Sequence, residues 1–298
     1  MTTNWDDMRI FLAVARAESL SGAGKSLKLD PATVGRRVQR LEESMGAALF
    51  VKSPQGYALS AEGERLLARA EQVEQAITLG AEETRGQPGQ LTGSIRIGAP
   101  DGCANFLLPQ VCTAICDRHP GLEVQIVAQP RVVNLTRREA DMAIAVSPPD
   151  TGRLTVQKIT DYHLHLAATR GYIRRKGPID DLAALTGHRM IGYIPDMIFD
   201  KELDYLSATG AERVELASNS VSVQLNFLRQ GAGLGIVHDF ALPFAPTLRK
   251  VLTGAVSLTR AFYLVRHADD RKVERLSRFA AELAEGLRRE VARLESLT

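Results

Sequence analysis

Apolar residues in the first sixty positions recur at the three- and four-residue spacing of helices that pack by one face. Met8, Phe11, Leu12 and Ala15 form the first such stripe, with Trp5 as an anchor at its start. A short helix is predicted from about Ser21 to Leu27, then a break at residues 28–30, then a longer amphipathic helix opened by Pro31. Proline is tolerated there because its missing N–H would have had no intrahelical partner. In this third helix Val34, Val38, Leu41 and Met45 share the apolar stripe, which turns Thr33, Arg36, Arg37 and Arg40 outward. Leu49-Phe50-Val51 and Tyr57-Ala58-Leu59 flank a polar turn and predict a short strand, a turn and a second strand. Two helices separated by so short a break, followed by a β-wing, make a winged helix-turn-helix over residues 1–60.

Residues 61–89 form a connector. Ser60 caps a helix in which Leu66, Ala70, Val73, Ile77 and Gly80 step by alternating fours and threes, the spacing of a coiled-coil seam. That stretch runs to about Glu83 and ends in Arg85-Gly86-Gln87-Pro88-Gly89, a linker. A two-fold dimer built on such a seam matches inverted half-sites on a duplex.

From residue 90 to 298 the pattern changes to short β-rich runs alternating with helices, the signature of a parallel sheet with crossover helices. Strands are predicted at 94–99, 123–127 and 141–146, with helices at 105–118 and near 133–138. A second set follows, with strands at 163–168, 189–193, 213–217 and 235–237 and a helix at 221–229. The run 260–265 returns to the first set. A helix at 272–294, with Leu276, Phe279, Leu283 and Leu287 on one face, packs there. The expected fold is two α/β lobes, one of about 90–160 plus 267–298 and the other about 161–266. Hinges are expected near Thr160-Asp161 and Arg266-His267.

A net charge of +2 argues neither for nor against nucleic acid, so local charge carries the point. Lys25, Lys28, Arg36, Arg37, Arg40 and Lys52 face only Asp30, Glu42 and Glu43 within the same stretch. Such charges are also the ordinary solvated face of a helix, and it is the helix-turn-helix spacing that favours DNA. No stretch approaches the roughly 20 apolar residues needed to span a bilayer, so a cytoplasmic protein is expected. Three cysteines are too few for a disulfide framework.

The chain resembles the LysR-type family of bacterial transcription regulators. The resemblance is densest in Phe11-Leu12-Ala13-Val14-Ala15, Ser19-Leu20-Ser21-Gly22-Ala23-Gly24, Val38-Gln39-Arg40-Leu41-Glu42, Leu49-Phe50 and Leu59-Ser60-Ala61-Glu62-Gly63. It implies an α+β winged helix-turn-helix head, a linker helix, and an α/β two-lobed sensor like a periplasmic binding protein. The implied partners are a double-stranded DNA operator, a small-molecule effector between the lobes, and further copies of the chain as homodimer or homotetramer. Asp30-Pro31 and Gly35 depart from the residues the family commonly places there, so base contacts are not carried over to them. Ser21, Thr33, Arg36, Arg37, Arg40 and Lys52 are the expected DNA contacts.

Ligands of open α/β sheets sit at the carboxyl ends of strands, where helix N-termini point unpaired amides. Asp101-Gly102-Cys103, Ser147, Asn219-Ser220 and His238 meet that condition and are the expected effector contacts. Helix N-termini near residues 103 and 220 favour a small polar or anionic effector, which Asp101 opposes unless it turns away. Pro100-Asp101-Gly102 stands where many relatives have Ser or Thr. Cys112, Cys116 and His119 share a helical face, but no fourth ligand accompanies them, so neither a metal nor a cofactor is expected. A thiol switch through Cys103 lacks any sign of a depressed pKa. His163 and His165 alternate on one strand face and read as structural. Gly231-Ala232-Gly233-Leu234-Gly235 precedes a strand instead of opening a helix, so it reads as a tight turn and not as a phosphate loop. The rival readings are an α/β enzyme and a DNA-architectural protein; no Gly-x-Ser-x-Gly elbow, Walker loop or zinc-protease helix supports an enzyme.

Overall fold

Side-chain caps set the helix boundaries of the N-terminal unit. Asn4 accepts the Asp6 N–H at 2.9 Å and opens α1 (Trp5–Ala17). Ser19 accepts the Gly22 N–H at 2.8 Å and opens α2 (Leu20–Leu27). Asp30 accepts the Thr33 N–H at 2.9 Å and, with Pro31 in the first turn, opens α3 (Pro31–Met45). Left-handed residues Glu18, Lys28 and Gly46 close the three helices. Strand β1 (Phe50–Ser53) pairs antiparallel with β2 (Gly56–Leu59), Phe50 opposite Leu59. Val34, Val38 and Leu41 are buried against Ile10, Phe11 and Val14, whereas Met45 is 37% exposed, so the apolar stripe of α3 ends at Leu41.

Helix α4 (Ala61–Arg85) divides the expected seam in two. Leu66 and Ala70 pack into the core of the same unit, which leaves Val73 and Ile77 as the exposed continuation, 45% and 48% accessible. Arg16 of α1 ties the helix down through Glu74 at 2.6 Å.

The computed structural model describes residues 4–53, 56–85, 90–128, 140–149, 154–211, 213–268, 270 and 273–298. Contacts divide the chain into two units, residues 1–87 and 88–298. In the second, β3 (Gly93–Ala99) lies between parallel strands β4 (Leu122–Ala128) and β5 (Met142–Ala145). Helices α5 (Asp101–Phe106) and α6 (Leu108–Arg118) stand where one helix from Asn105 is expected. Pro100, held extended, opens α5 directly after β3, and Leu107 breaks the run. The helix expected at 133–138 lies outside the described residues.

Strand β6 (Leu154–Thr169) leads to α7 (Arg170–Lys176), then β7 (Met190–Gly192), β8 (Leu216–Ala217), α8 (Val221–Arg229) and β9 (Leu234–His238). Strand β10 (Leu248–Lys250) pairs with β6, and β11 (Ser257–His267) precedes α9 (Glu274–Glu295). The sheet order β4-β3-β5-β11-β6-β9-β7-β8 holds two parallel sets, joined by β6 and β11, which pair antiparallel over the whole of β11 and residues 154–165 of β6. Their register shifts between Phe262 and Tyr263. Pairing with β5 begins at Tyr263, so the return strand is already in the first set before the Arg266 limit drawn from the sequence. Leu276, Phe279, Leu283 and Leu287 of α9 are fully buried, as their spacing requires. Among the described residues no helix is long and apolar enough to cross a membrane.

Candidate DNA interface and effector cleft

On the head, the expected DNA contacts separate into two groups. Arg40 donates through Nε to Asp7 at 2.8 Å and through Nη2 to the other carboxylate oxygen. Arg37 lies 3.5 Å from Asp7 and 3.8 Å from Asp6. Asp7 is buried on α1, so these two arginines neutralise a carboxylate inside the head and fix α3 against α1. Arg36 is different: it is exposed, and among the described residues its one hydrogen bond runs to Thr33 Oγ1 at 3.0 Å, one turn back on the same face. Ser21 is exposed near the start of α2, with its hydroxyl 3.3 Å from that of Ser19. The side chain of Lys52 lies outside the described residues. Glu42 accepts the Leu49 N–H at 2.7 Å and joins the end of α3 to the wing.

In the sensor unit Asp101 and Ser220 come together, and the contact bears on the anionic half of the expected polar or anionic effector. Asp101 Oδ2 accepts from Ser220 Oγ at 3.1 Å, Ser222 N at 3.0 Å and Ser222 Oγ at 3.2 Å. A carboxylate therefore already sits on the N-terminus of α8, supplied by α5 of the other lobe, and an anionic ligand would have to displace it. Asn105 holds the second Asp101 oxygen at 3.1 Å. Ser220 also accepts the Val223 N–H, and Asn219 is half-buried in the turn before it. Ser147 donates to Asp200, a second link between the lobes. Arg260 bonds the carbonyl of Glu202 at 3.0 Å and its carboxylate at 2.8 Å, and so fixes the turn that presents Asp200.

Gly102 and His238 are also neighbours, since a Cβ on Gly102 would lie 3.6 Å from His238 Cε1. His238 ends β9 inside an aromatic group: it stacks on Tyr162 at 5.5 Å and packs on Phe240 at 4.9 Å and Tyr205 at 6.0 Å. Burial lowers its pKa to about 4, so the imidazole is neutral at physiological pH. Its Nδ1 has no hydrogen-bond partner among the described residues. Cys103 points into the core and is 1% exposed, and Gly102 and His238 are buried as well.

A cavity of about 540 Å³ opens beyond the carboxyl end of β7 and is lined by Tyr193, Ile198, Phe199, Asp200, Tyr205 and Gln224, among others. Burial raises the Tyr193 and Tyr205 phenols, and nearby Asp101 raises Tyr193 further, so both stay protonated. Sequence reasoning missed Ser222, Asp200, Tyr193, Tyr205 and Gln224. Ser218-Asn219-Ser220-Val221-Ser222 carried a signal, a cluster of hydroxyls at a helix start; the segment 193–209 folds as short 3₁₀ turns and carried none.

The remaining candidates are structural. Burial pushes the Cys103, Cys112 and Cys116 thiols up, Cys112 to about 12, which disfavours the reactive thiolate. His119 accepts the Leu91 N–H at Nδ1 and meets Glu282 at 3.0 Å through Nε2, so both nitrogens are engaged. His163 pairs with Glu295 at 2.8 Å, and His165 with Asp239 at 2.9 Å. Gly231, left-handed at φ +67°, makes the turn from α8 into β9.

Residues 5–64 match the family described as bacterial regulatory helix-turn-helix protein, lysR family. Residues 88–288 match the LysR substrate binding domain. The HTH-type transcriptional regulator PtxR of Pseudomonas aeruginosa is 24% identical over 242 residues, 80% of this chain and 77% of PtxR. The HTH-type transcriptional regulator CrgA of Neisseria meningitidis serogroup C (strain 8013) is 25% identical over 193 residues, 65% of this chain and 64% of CrgA. The chain thus spans just under two thirds of the length of that relative. Among solved structures, a full-length OxyR variant from Pseudomonas aeruginosa superposes with a TM-score of 0.72 at 16% identity, covering 97% of this chain and 95% of that one. The structure of CrgA from Neisseria meningitidis gives a TM-score of 0.59 at 22% identity, with 96% and 99% coverage. At such identities the shared property is the fold.

Proposed function

The chain belongs to the LysR family of bacterial regulatory helix-turn-helix proteins, and from that premise we propose that it is a cytoplasmic transcription regulator that reads an operator through Arg36, Thr33 and Ser21. The observation that carries this reading is the division of labour on α3, where Arg37 and Arg40 are tied to Asp7 while Arg36 stands exposed beside Thr33. A guanidinium near the N-terminal end of a recognition helix reaches base edges, and arginine to guanine is the commonest specific contact. Arg37 and Arg40 hold the helix at its angle and offer their outer edges to phosphates. Footprinting with Arg36→Ala is expected to show a loss of about 1–3 kcal/mol, concentrated at one operator position. Unchanged affinity in the folded variant would remove Arg36 from the interface.

The exposed half of the α4 seam, Val73 and Ile77, is the dimer contact. Val73→Glu places a carboxylate in that contact at a cost of several kcal/mol. Sedimentation of the full chain should show a lighter particle, and protection of the paired half-sites should be lost. A variant as heavy as the parent, with both half-sites still protected, would place the seam elsewhere.

The effector binds between the lobes and extends into the cavity below Tyr193 and Tyr205. Apolar and aromatic walls, together with Asp101 and Asp200 at the cleft, suit a small molecule that is apolar over most of its surface and neutral or cationic at its polar end. Its binding is coupled to DNA geometry through the closure of the lobes about β6 and β11.

A further inference from the structure

Away from the cleft, a second concavity of about 420 Å³ lies where α7, the end of α8 and β10 meet. Arg170, Arg174, Arg175, Arg229 and Arg249 all line it, and its other lining residues carry no charge. None of the five arginines is within ion-pair distance of a carboxylate among the described residues. Elsewhere the chain pairs its arginines closely, as in Arg118 with Glu282 at 2.7 Å, Arg260 with Glu202 at 2.8 Å and Arg288 with Glu285 at 2.8 Å. Five uncompensated guanidinium groups around one hollow repel one another, an arrangement that an anion relieves.

The hollow is also held in shape. Arg175 donates to the Gly231 carbonyl at 3.1 Å, Arg249 to the Pro246 carbonyl at 2.8 Å, and Arg229 to Asn226 Oδ1 at 3.1 Å. These neutral acceptors position the forks without cancelling their charge, so less ordering is left for a ligand to impose. The turn depends on Gly231, whose added Cβ would lie 3.0 Å from Thr169 Oγ1 and 3.4 Å from Arg175 Nη2.

We propose that this concavity is an oligophosphate site, taking a chain of two or more phosphate groups. Guanidinium forks match phosphate oxygens two at a time, and the volume of the hollow and its five cations exceed what one phosphate can use. No aromatic ring lines it, so there is no platform on which a nucleobase could stack and the phosphates alone are recognised. All five arginines are exposed, so binding weakens steeply as salt is added.

The test is calorimetric titration of the full-length protein with sodium tripolyphosphate at low salt, beside pyrophosphate, orthophosphate and ADP. Tripolyphosphate should bind with one site per chain, orthophosphate about tenfold or more weakly, and ADP no more tightly than pyrophosphate. The double variant Arg174→Gln/Arg229→Gln should lose about tenfold or more in tripolyphosphate affinity, whereas Arg36→Gln on the head should leave it unchanged. No heat with the parent protein, equal affinity in the double variant, or loss confined to Arg36→Gln would each overturn the proposal. ADP binding far above pyrophosphate would overturn recognition through phosphates alone. A random duplex that displaces tripolyphosphate and itself weakens in the double variant would make the surface one for nucleic acid instead.

Discussion

Gly63→Ala should unfold the DNA-binding head well before its parent, although it adds a single methyl group to a helix. Gly63 lies in the first turn of α4, where Ser60 caps the helix by accepting the Gly63 N–H at 3.0 Å. A Cβ there would sit 2.1 Å from the Leu49 carbonyl oxygen and 3.0 Å from Leu59 Cδ2. The carbonyl cannot withdraw, since it accepts the Ser60 N–H at 3.0 Å, and the Leu49 N–H is held by Glu42. Either α4 leaves the wing or the wing leaves α3. The cost should fall at or above the top of the about 1–3 kcal/mol typical of overpacking, because the obstacle is backbone and not a side chain that can rotate. Trp5 is the only tryptophan in the chain and packs against the core of the head, so its fluorescence during urea unfolding reports this unit alone. An unchanged midpoint would mean that α4 meets the wing less closely than these distances state.

That glycine was legible in the sequence only as part of the run Leu59 to Gly63; its reason was not. The head was the most readable part of the chain because short-range chemistry specifies it. Ser19, Asp30 and Ser60 each accept an amide three residues on, and the apolar stripes of α1 and α3 face each other. Arg37 and Arg40 were read as facing a groove because their partner, Asp7, lies 30 and 33 residues away on another helix. Helical periodicity tells which way a residue points, but not what waits there.

The same limit separates the two halves of the cleft. Asp101, Ser147, Ser220 and His238 stand at strand or helix ends, which topology rules locate. The cavity walls at Tyr193, Phe199 and Tyr205 stand in the irregular links before and between short 3₁₀ turns, a segment that repeats with neither a period of 3.6 nor of 2. The oligophosphate hollow is hidden for a related reason, since α7, α8 and β10 bring its arginines together from residues 170 to 249.

Asp101→Ala is expected to loosen the contact between the lobes and to create an anion site where the parent has none. The carboxylate accepts three hydrogen bonds at the N-terminus of α8, one of them from a backbone amide that has no partner within the helix. Hydrogen bonds to a charged group contribute about 1.5–3 kcal/mol, so removing the acceptor should shift the closure equilibrium by about tenfold or more. The emptied position keeps the Ser222 N–H, the two hydroxyls and the positive end of the helix, which together suit a small carboxylate. Formate added in excess should therefore raise the melting temperature of Asp101→Ala more than that of the parent, because in the parent the aspartate already occupies this place and any binding at other anion sites is common to both. Asp101→Asn should lie between the two, with its acceptor oxygen retained and its charge gone. Equal formate responses in parent and Asp101→Ala would show that the carboxylate does not hold this helix end, and the argument that the cleft rejects anionic effectors would fall with it.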